Sequence, residues 1–433
     1  MLYYSTSRQS PSVNFKEATI HGQAPDKGLY FPEHIPALPP SFFEEFATMS
    51  REEIAYTVIR PYTGDTIPDA ELKRIVSETV NFPFPLVQVE DNVYALELYH
   101  GPTLAFKDVG ARFMSRCLGY FVKDIRKKVT VLVATSGDTG GAVASGFYDV
   151  DGVDVIILYP SGKVSSIQEL QLTTLGKNIT ALEVDGSFDD CQDLVKKAFT
   201  DDELAQHLFL TSANSINVAR WLPQQFYYFF AYQQWKDKEH APVVCVPSGN
   251  FGNICAGLLA SHSGLPVKHF IAACNANNII TSYLQTGAYA AKKSVATLSN
   301  AMDVGNPSNF VRILEIFDQQ FSSLKNRLSS YSVSDLETIE SLIQLYRKHG
   351  YLADPHGAVA FHAVHQYLKQ YPGDKAIVLE TAHPVKFYDV VEPMIHEKVP
   401  IPGAIKGLLL QKKISIKMDA DYAVFKNLLL SRE

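Results

Sequence analysis

One lysine in a short apolar stretch has the setting of a reactive amine. Lys107 directly follows the apolar run Leu104–Phe106 and opens a helical pattern. Burial beside apolar side chains disfavours the ammonium form, which lowers a lysine pKa below its free value of about 10.4. A neutral amine attacks aldehydes, so the segment is compatible with a nucleophilic lysine. Taken alone, however, the segment favours a first-turn surface lysine paired with Asp108.

Two glycine-rich turns have the composition of anion-binding sites. Thr135–Gly141 follows the apolar run Val129–Ala134, and Ser248–Asn253 follows the run VVCVP. Glycine permits positive φ angles and lets backbone N–H groups approach an anion, and the helix that follows favours negative charge at its start. Neither turn matches a P-loop or the pattern G-x-G-x-x-G, which disfavours nucleotides. One such turn is equally well explained as a tight connection, but two together favour a phosphate or carboxylate site.

Composition narrows the classes of function. The chain has 433 residues, 46% hydrophobic and 20% charged, and a net charge of −7, which is ordinary for a globular protein of two or three domains. The negative charge disfavours nucleic acid as a partner. Residues 1–10 lack the pattern of a secretory signal, and the aromatic segment 226–235 is too short to cross a membrane. The five cysteines are scattered, which favours reduced thiols, and we expect a cytoplasmic protein without a membrane partner. The sequence has no spacing typical of metal ligands.

Alternating strands and helices beyond residue 128 must position these segments. The predicted strands are Val129–Ala134, Val153–Tyr159, Ile179–Val184, Val243–Val246, His269–Ala273 and Ala376–Glu380. The predicted helices are Gly141–Tyr148, Phe188–Phe199, Asn253–His262 and Gly357–Leu368. Nearly continuous apolar strands are typical of sheets covered on both faces. The pattern therefore predicts an α/β fold with doubly wound parallel sheets, in which ligands bind at the carboxyl ends of strands.

Several longer motifs resemble one enzyme family. The lysine segment HGPTLAFKDVGARFM and the turns TSGDTGGAVA and PSGNFGN are similar to the corresponding segments of threonine synthases. The motifs SANSINVARWLPQ, TLSNAMDVGNPSN, DPHGAVA and ETAHPVKF also resemble that family and occur in the same order. The similarity extends from the LYYSTS region to about Phe387. The similarity is greatest to the threonine synthases that have a short N-terminal domain. The resemblance implies that this form lacks regulation by S-adenosylmethionine.

The resemblance implies a fold, an activity and a division into domains. The fold is that of a type II pyridoxal-phosphate (PLP) enzyme, with two α/β lobes and a helical N-terminal domain. The activity is that of a carbon–oxygen lyase acting on phosphates, which converts O-phospho-L-homoserine and water to L-threonine and phosphate in the last step of threonine biosynthesis. The predicted divisions are an N-terminal domain (1–95), a large PLP-binding domain (96–124 and 213–400), a small mobile domain (125–212) and a C-terminal arm (401–433).

The resemblance also assigns roles to residues around PLP. Lys107 is expected to form the internal aldimine and then to move protons. Thr381 is expected to bind the pyridine nitrogen, whereas strand alternation turns Glu380 to the opposite face, with a structural role. The expected phosphate cup consists of Ser248, Gly249, Asn250, Phe251, Gly252 and Asn253.

The substrate contacts are expected on other segments. The loop that takes the substrate carboxylate contains Thr135, Ser136, Asp138 and Thr139. Candidates for the substrate phosphate are Arg112, Lys163, Ser215 and Asn217. We expect Lys163, in a Pro-Ser-Gly turn after a strand, to recognise the leaving phosphate, although a solvated turn lysine is the competing interpretation.

Three points stay open at this stage. The histidines His100, His356 and His383 fit a hydrogen-bonding role as well as an acid–base role. A related phospho-lyase, which releases a ketoacid, would share the PLP residues, while a catalytically silent sensor is disfavoured by the intact Lys107 and by both turns. The chain is expected to be a monomer or a homodimer.

Overall fold

The computed structural model describes residues 1–123 and 128–432. It contains two mainly parallel sheets and one small antiparallel sheet, and helices alternate with the strands of both larger sheets. The predicted α/β class with parallel sheets in two lobes is confirmed. The domain boundary predicted between residues 124 and 125 lies outside the described residues.

The elements of the described residues follow in chain order. The strands are β1 (Leu2–Ser5), β2 (Val13–Asn14), β3 (Tyr30–Pro32), β4 (Leu86–Glu90), β5 (Val93–Glu97), β6 (Val129–Ala134), β7 (Val153–Pro160), β8 (Ile179–Asp185), β9 (Phe209–Ser212), β10 (Val243–Pro247), β11 (His269–Cys274), β12 (Leu328–Ser332), β13 (Ala376–Glu380) and β14 (Ile416–Asp419). The helices are α1 (Phe15–His21), α2 (Pro40–Glu45), α3 (Arg51–Thr63), α4 (Asp69–Thr79), α5 (Lys107–Val122), α6 (Asp138–Phe147), α7 (Ser166–Thr173), α8 (Phe188–Phe199), α9 (Asp202–His207), α10 (Val218–Trp221), α11 (Phe226–Gln234), α12 (Gly252–His262), α13 (Ile279–Thr286), α14 (Phe310–Ile316), α15 (Phe321–Arg327), α16 (Asp335–His349), α17 (Pro355–Gln370), α18 (Tyr388–Ile395), α19 (Gly403–Lys406) and α20 (Tyr422–Leu430). Short 3-10 helices cover Gly64–Thr66, Leu222–Gln225, Asn300–Met302, Pro384–Phe387 and Leu408–Leu410.

The larger sheet forms the lobe that carries the second glycine turn. Its strand order is β12-β11-β10-β13-β5-β4, and every pair is parallel except β4 with β5. Val244 and Ile377 belong to the same buried core as Leu258 of α12. Val243 and Val378 belong to a second core that includes the apolar side chains of α17. Burial on both faces explains why these strands are continuously apolar in sequence.

The second parallel sheet forms the smaller lobe, in the order β14-β8-β7-β6-β9. Its outermost strand comes from the C-terminal segment, because Ile416–Asp419 pairs with Leu182–Asp185. Phe425 and Leu429 of α20 are buried in the core of this lobe. Part of the predicted C-terminal arm is therefore a structural component of the smaller lobe.

The N-terminal segment packs against the helix that begins at Lys107. It contains α1–α4 and the antiparallel sheet β2-β1-β3, which the sequence did not predict. The ring of Phe15 lies 6.5 Å from that of Phe113 and 6.1 Å from that of Phe121, both on α5. This aromatic contact holds α5 against the N-terminal segment.

The described residues contain neither a membrane-spanning helix nor a cluster of metal-ligating side chains. Among them, no helix is long and apolar enough to span a bilayer. No group of three or more His, Cys, Asp or Glu side chains in the same part of the chain is placed to hold a metal ion.

Candidate active site

Lys107 is the first residue of α5 and lies beside the carboxyl end of β13. The preceding residues pair with the chain after that strand, through a bridge between Ala105 and Ala382. The Phe106 N–H donates to the Thr381 carbonyl at 2.9 Å. These bonds bring Lys107 and Thr381, which are far apart in sequence, to the same edge of the larger sheet.

Lys107 is half-buried, and its amine has no hydrogen-bond partner among the described residues. Burial lowers the pKa of Lys107 to about 8. The positive charges of Lys386 and Arg220 act in the same direction, whereas the carboxylate of Asp138 opposes them. Lys107 is thus a neutral nucleophile for a much larger fraction of the time than a surface lysine at neutral pH.

The second glycine turn presents a run of free backbone donors after β10. In the described part of the chain, no acceptor bonds the N–H groups of Gly249, Asn250, Phe251, Gly252 or Asn253. Phe251, Gly252 and Asn253 are buried, so these donors cannot rely on bulk water. The turn also leads into the first residues of α12, where the helix dipole attracts an anion. The arrangement fits a bound phosphate.

The glycines of this turn are needed for space and not for a left-handed backbone. The residue with positive φ is Phe251, at 61°, so the expectation that glycine supplies the positive φ is wrong for Gly249 and Gly252. An added Cβ at Gly249 would stand 2.6 Å from Cα of Met302. The backbone around Met302 therefore closes one side of the turn, and only a residue without a side chain lets it approach.

The side chains of the turn hold its shape. Asn250 donates through Nδ2 to the Ser215 hydroxyl at 2.9 Å, and its Oδ1 accepts from the Ser308 N–H at 2.6 Å. Asn253 donates to the Pro247 carbonyl at 2.9 Å, and its Oδ1 accepts from the Ile254 N–H at 2.9 Å. Ser215, which was predicted for the substrate phosphate, thus lies against the cup predicted for the cofactor phosphate.

Thr381 and Glu380 differ in their surroundings, as strand alternation predicts. The buried Thr381 hydroxyl makes no hydrogen bond within the described residues. Glu380 is fully buried against Gly357, where a Cβ would have no room. Burial, and then the neighbouring Asp354 carboxylate, raise the pKa of Glu380 well above its usual value. Both effects disfavour a negative charge on Glu380, behind Thr381.

The first glycine turn leaves two hydroxyl groups free. Thr135 is used within the turn, because its Oγ1 accepts from the N–H groups of Gly137 at 2.9 Å and Gly140 at 2.8 Å. Ser136 and Thr139 are half-buried, and their side chains have no hydrogen-bond partner in the ranges that the structure describes. These two hydroxyl groups, at the start of α6, fit a carboxylate ligand.

Asp138 is part of a buried ion pair that joins the two lobes. Its Oδ1 lies 2.6 Å from Nζ of Lys386 and accepts from Nε2 of Gln168 at 2.8 Å. Burial alone would raise the pKa of Asp138, but the charges of Lys386 and Lys107 hold it well below its usual range. Lys386, in the 3-10 helix after β13, is itself fully buried and also donates to the Thr103 carbonyl at 2.9 Å. Asp138 is thus ionised and paired with Lys386.

Sequence reasoning missed two basic residues of this site, Lys386 and Arg220. Arg220 is only 3% exposed, and its Nε and Nη1 have no hydrogen-bond partner among the described residues. Burial lowers the pKa of Arg220 to about 10, a value at which the guanidinium is still charged at neutral pH. Lys386 lies in the motif ETAHPVKF and Arg220 in the motif SANSINVARWLPQ, both of which resemble the family. The basic residue in each motif could therefore have indicated a site residue.

Three predicted substrate residues have other partners. Arg112 donates through Nε to the Glu78 carbonyl at 3.0 Å, at the end of α4. Asn217 caps α10 by accepting from the Ala219 N–H at 3.0 Å. Lys163 is exposed and donates to the Gly186 carbonyl at 3.0 Å. The geometry therefore favours Arg220 over these residues as a partner for a second anion.

Two of the open histidines also have partners. Nε2 of His100 lies 2.7 Å from a carboxylate oxygen of Glu97. Nδ1 of His383 accepts from the Val385 N–H at 3.1 Å, and burial lowers the pKa of His383 to about 4. His383 is therefore neutral at neutral pH and serves as a cap, with Nδ1 as an acceptor.

Comparison with known proteins covers the whole chain. Family models match at residues 2–80 (threonine synthase N terminus), 78–381 (pyridoxal-phosphate dependent enzyme) and 357–429 (threonine synthase, C-terminal). The chain is 44% identical over 431 residues to threonine synthase from Haemophilus influenzae, covering 99% of this chain and 100% of that protein. The crystal structure of threonine synthase from Escherichia coli superposes with a TM-score of 0.93 at 41% identity, with 100% of each chain covered. The PLP-bound threonine synthase from Brucella melitensis gives a TM-score of 0.92 at 34% identity, covering 100% of this chain and 99% of that one.

Proposed function

The chain belongs to the threonine synthase family of PLP-dependent enzymes, and we propose that it converts O-phospho-L-homoserine and water to L-threonine and phosphate. The predicted family, cofactor and enzyme class are confirmed by the matches along the entire chain. The observation that carries the chemistry is the unbonded amine of Lys107, whose pKa is lowered, at the same sheet edge as a turn of free N–H groups.

The residues present fit PLP. The free N–H groups of Gly249–Asn253 suit its phosphate, and the amine of Lys107 suits its aldehyde. The unbonded hydroxyl of Thr381 suits its pyridine nitrogen. Because a hydroxyl cannot force protonation of that nitrogen as an aspartate would, and the Glu380 carboxyl faces α17, the site favours an unprotonated ring.

Bound PLP withdraws electron density from the substrate α-carbon and so makes loss of its proton and, later, of the γ-phosphate possible. Lys107 moves the protons. An amine with a pKa near 8 can accept a proton at Nζ and return it at neutral pH, which an ordinary lysine does poorly. The ionised Asp138 nearby stabilises Lys107 whenever Nζ is protonated.

Two groups of residues suit the two charged ends of the substrate. The hydroxyl groups of Ser136 and Thr139, at the start of α6, are proposed to bind the carboxylate. Arg220 is proposed to bind the substrate phosphate, because its unpartnered Nε and Nη1 offer two donors in a buried position. Lys163 is the competing candidate from the sequence.

Replacing Arg220 by glutamine is expected to lower kcat/KM for phosphohomoserine by about 10–100-fold. A charge-assisted contact contributes about 1.5–3 kcal/mol, and each 1.36 kcal/mol is about tenfold in rate. Lys163→Ala is the matched control and is expected to keep the wild-type value. Steady-state kinetics, with PLP content measured in the same preparations, decides the matter. A loss of kcat/KM in Lys163→Ala, with the wild-type value in the Arg220 variant, would instead assign the substrate phosphate to Lys163.

The rate at which the cofactor-free protein captures PLP should depend on pH through Lys107. Only the neutral amine reacts, so the rate should rise about tenfold per pH unit below 8 and level off above it. Rapid-mixing absorbance measurements between pH 6 and about 10.4 test this, with N-acetyl-lysine as the reference amine of ordinary pKa. A rate for the protein that keeps rising in parallel with the reference would contradict the lowered pKa.

We also propose that the smaller lobe, predicted as residues 125–212, closes on the substrate. The ion pair between Asp138 and Lys386 and the bond from Gln171 to the Thr103 carbonyl, at 2.9 Å, cross from one lobe to the other beside Lys107. Contacts at this position are suited to hold a closed, water-poor site. A cytoplasmic location and a monomeric or homodimeric state remain predictions from the sequence.

Product analysis tests the proposed function. Incubation of the PLP-loaded protein with O-phospho-L-homoserine should yield threonine and phosphate in equal amounts. A phospho-lyase would release a ketoacid with the phosphate, and a silent sensor would release neither. Either of those outcomes would overturn the proposal.

A further inference from the structure

A buried histidine–carboxylate pair lies at the start of α17, and its histidine has no role in the chemistry above. Nδ1 of His356 lies 2.6 Å from Oδ2 of Asp354, and the two side chains are 3% and 0% exposed. Asp354 also caps α17, since its Oδ1 accepts from the Gly357 N–H at 2.8 Å. One carboxylate therefore fixes both the helix start and the histidine ring.

The other ring nitrogen binds a backbone N–H. Nε2 of His356 lies 3.2 Å from the amide nitrogen of Ala301. A backbone N–H only donates, so Nε2 is the acceptor, and the ring hydrogen is on Nδ1, facing Asp354. Both nitrogens are occupied, which leaves none for proton transfer to a substrate. Of the two roles left open for His356, the geometry supports hydrogen bonding.

Ala301 lies in the 3-10 helix Asn300–Met302, which we call the wall turn. Its inner side closes the phosphate cup, because Cα of Met302 occupies the space next to Gly249. The Met302 N–H donates to the Ser299 carbonyl at 2.9 Å, which keeps the turn tight. A chain of direct contacts thus runs from Asp354 through His356 and Ala301 to the cup.

A second polar cluster holds the end of the wall turn. Asp303 accepts from the Thr297 hydroxyl at 2.7 Å and from Nδ2 of Asn275 at 2.9 Å. The bonds to Asp303 fix the chain just after the wall turn, whereas His356 binds Ala301, the middle residue of the turn. Among the described residues, the Ala301 N–H has no acceptor other than His356. Removal of His356 would leave that donor without a partner.

We propose that His356 is a positioning residue for the cofactor phosphate. It holds the wall turn against Gly249, so that Gly249–Asn253 keeps the shape in which its N–H groups are free to bind phosphate. This inference rests on the proposed function only in taking PLP as the ligand of the cup. It assigns the motif DPHGAVA to cofactor retention and not to proton transfer.

The test is the dissociation constant of PLP from the cofactor-free protein, measured by absorbance titration. His356→Leu should bind PLP about tenfold more weakly, the effect of one buried donor left unsatisfied. His356→Gln offers an amide oxygen near the position of Nε2 and should restore affinity to within about threefold. His362→Leu, on the outer face of the same helix, is the control and should bind like wild type.

A second variant tests the same bond without removing the ring. Asp354→Asn can keep the cap on Gly357, but its NH₂ group would face Nδ1 of His356 and shift the ring hydrogen to Nε2. Two N–H groups would then oppose each other at Ala301, and PLP affinity should fall as in His356→Leu. A purely structural role predicts a lowered melting temperature with equal affinity in all variants.

The outcomes separate this inference from the proposed function. Weakened binding in both His356→Leu and Asp354→Asn, with recovery in His356→Gln, supports it. Unchanged affinity in a folded His356→Leu or Asp354→Asn protein, or equal weakening by leucine and glutamine, overturns it. Failure of the wild type to bind PLP would instead count against the proposed function.

Discussion

Lys107→Ala is expected to lose catalysis by about 10²–10⁴-fold or more, the scale of a positioned acid–base group. The variant also lacks the amine that attaches PLP covalently, so the visible absorbance of the lysine-bound cofactor should vanish. PLP should still bind weakly, because the N–H groups of Gly249–Asn253 are unchanged. Steady-state kinetics and an absorbance spectrum of the reconstituted protein measure both effects.

The control for this variant is Lys163→Ala, which removes an exposed lysine bonded to the Gly186 carbonyl. It should keep the absorbance of lysine-bound PLP. A small external amine should restore part of the activity of Lys107→Ala, because it can supply a mobile base. An alanine variant with near wild-type turnover would show that another group moves the protons.

Gly249→Val is expected to weaken PLP binding by about 10²-fold or more. The added Cβ would stand 2.6 Å from Cα of Met302 and 3.2 Å from the carbonyl oxygen of Ala301, so the backbone of one of the two segments must move. That movement costs the cofactor phosphate at least one charge-assisted contact, and usually more than one, at about 1.5–3 kcal/mol each. Absorbance titration of the cofactor-free protein gives the affinity.

Gly373→Val is the matched control, since a Cβ there meets no atom within 4 Å. It should bind PLP like wild type. Circular dichroism and the melting temperature establish that both variants fold. Wild-type affinity in a folded Gly249→Val protein would contradict the role of the turn.

The core strands of the fold could be predicted, because their burial is visible in local sequence. Strands β6 and β13 and helix α8 were predicted to the residue, and each carries a continuous apolar run or a regular apolar stripe. Strand β14 was missed. Three of its four residues, Ile416, Lys417 and Asp419, are exposed, and it pairs with β8 from a distant part of the chain. The short antiparallel strands β1–β3 were also missed; β3 is buried, but it pairs with β1 from a distant part of the chain.

In the site, too, residues within one contiguous motif could be predicted, whereas residues that depend on contacts between distant segments could not. Lys107 and the cup could be found, because each lies in one contiguous motif with a chemical meaning of its own. Lys386 and Arg220 could not, because a buried ion pair and an unpartnered guanidinium exist only once distant segments meet. The positive φ angle expected of the glycines in the cup was wrong for a similar reason. Met302 of the wall turn limits the space at Gly249, and the Ser215 side chain limits it at Gly252, so distant segments and not the local backbone favour glycine there.

The most direct measurement is the site of covalent cofactor attachment in the wild-type protein. Borohydride reduction of the PLP-loaded protein fixes the cofactor to its lysine, and peptide mapping by mass spectrometry locates it. The amine of Lys107, with its pKa lowered to about 8, should carry the whole label. Label on Lys386, Lys163 or any other lysine would contradict the account.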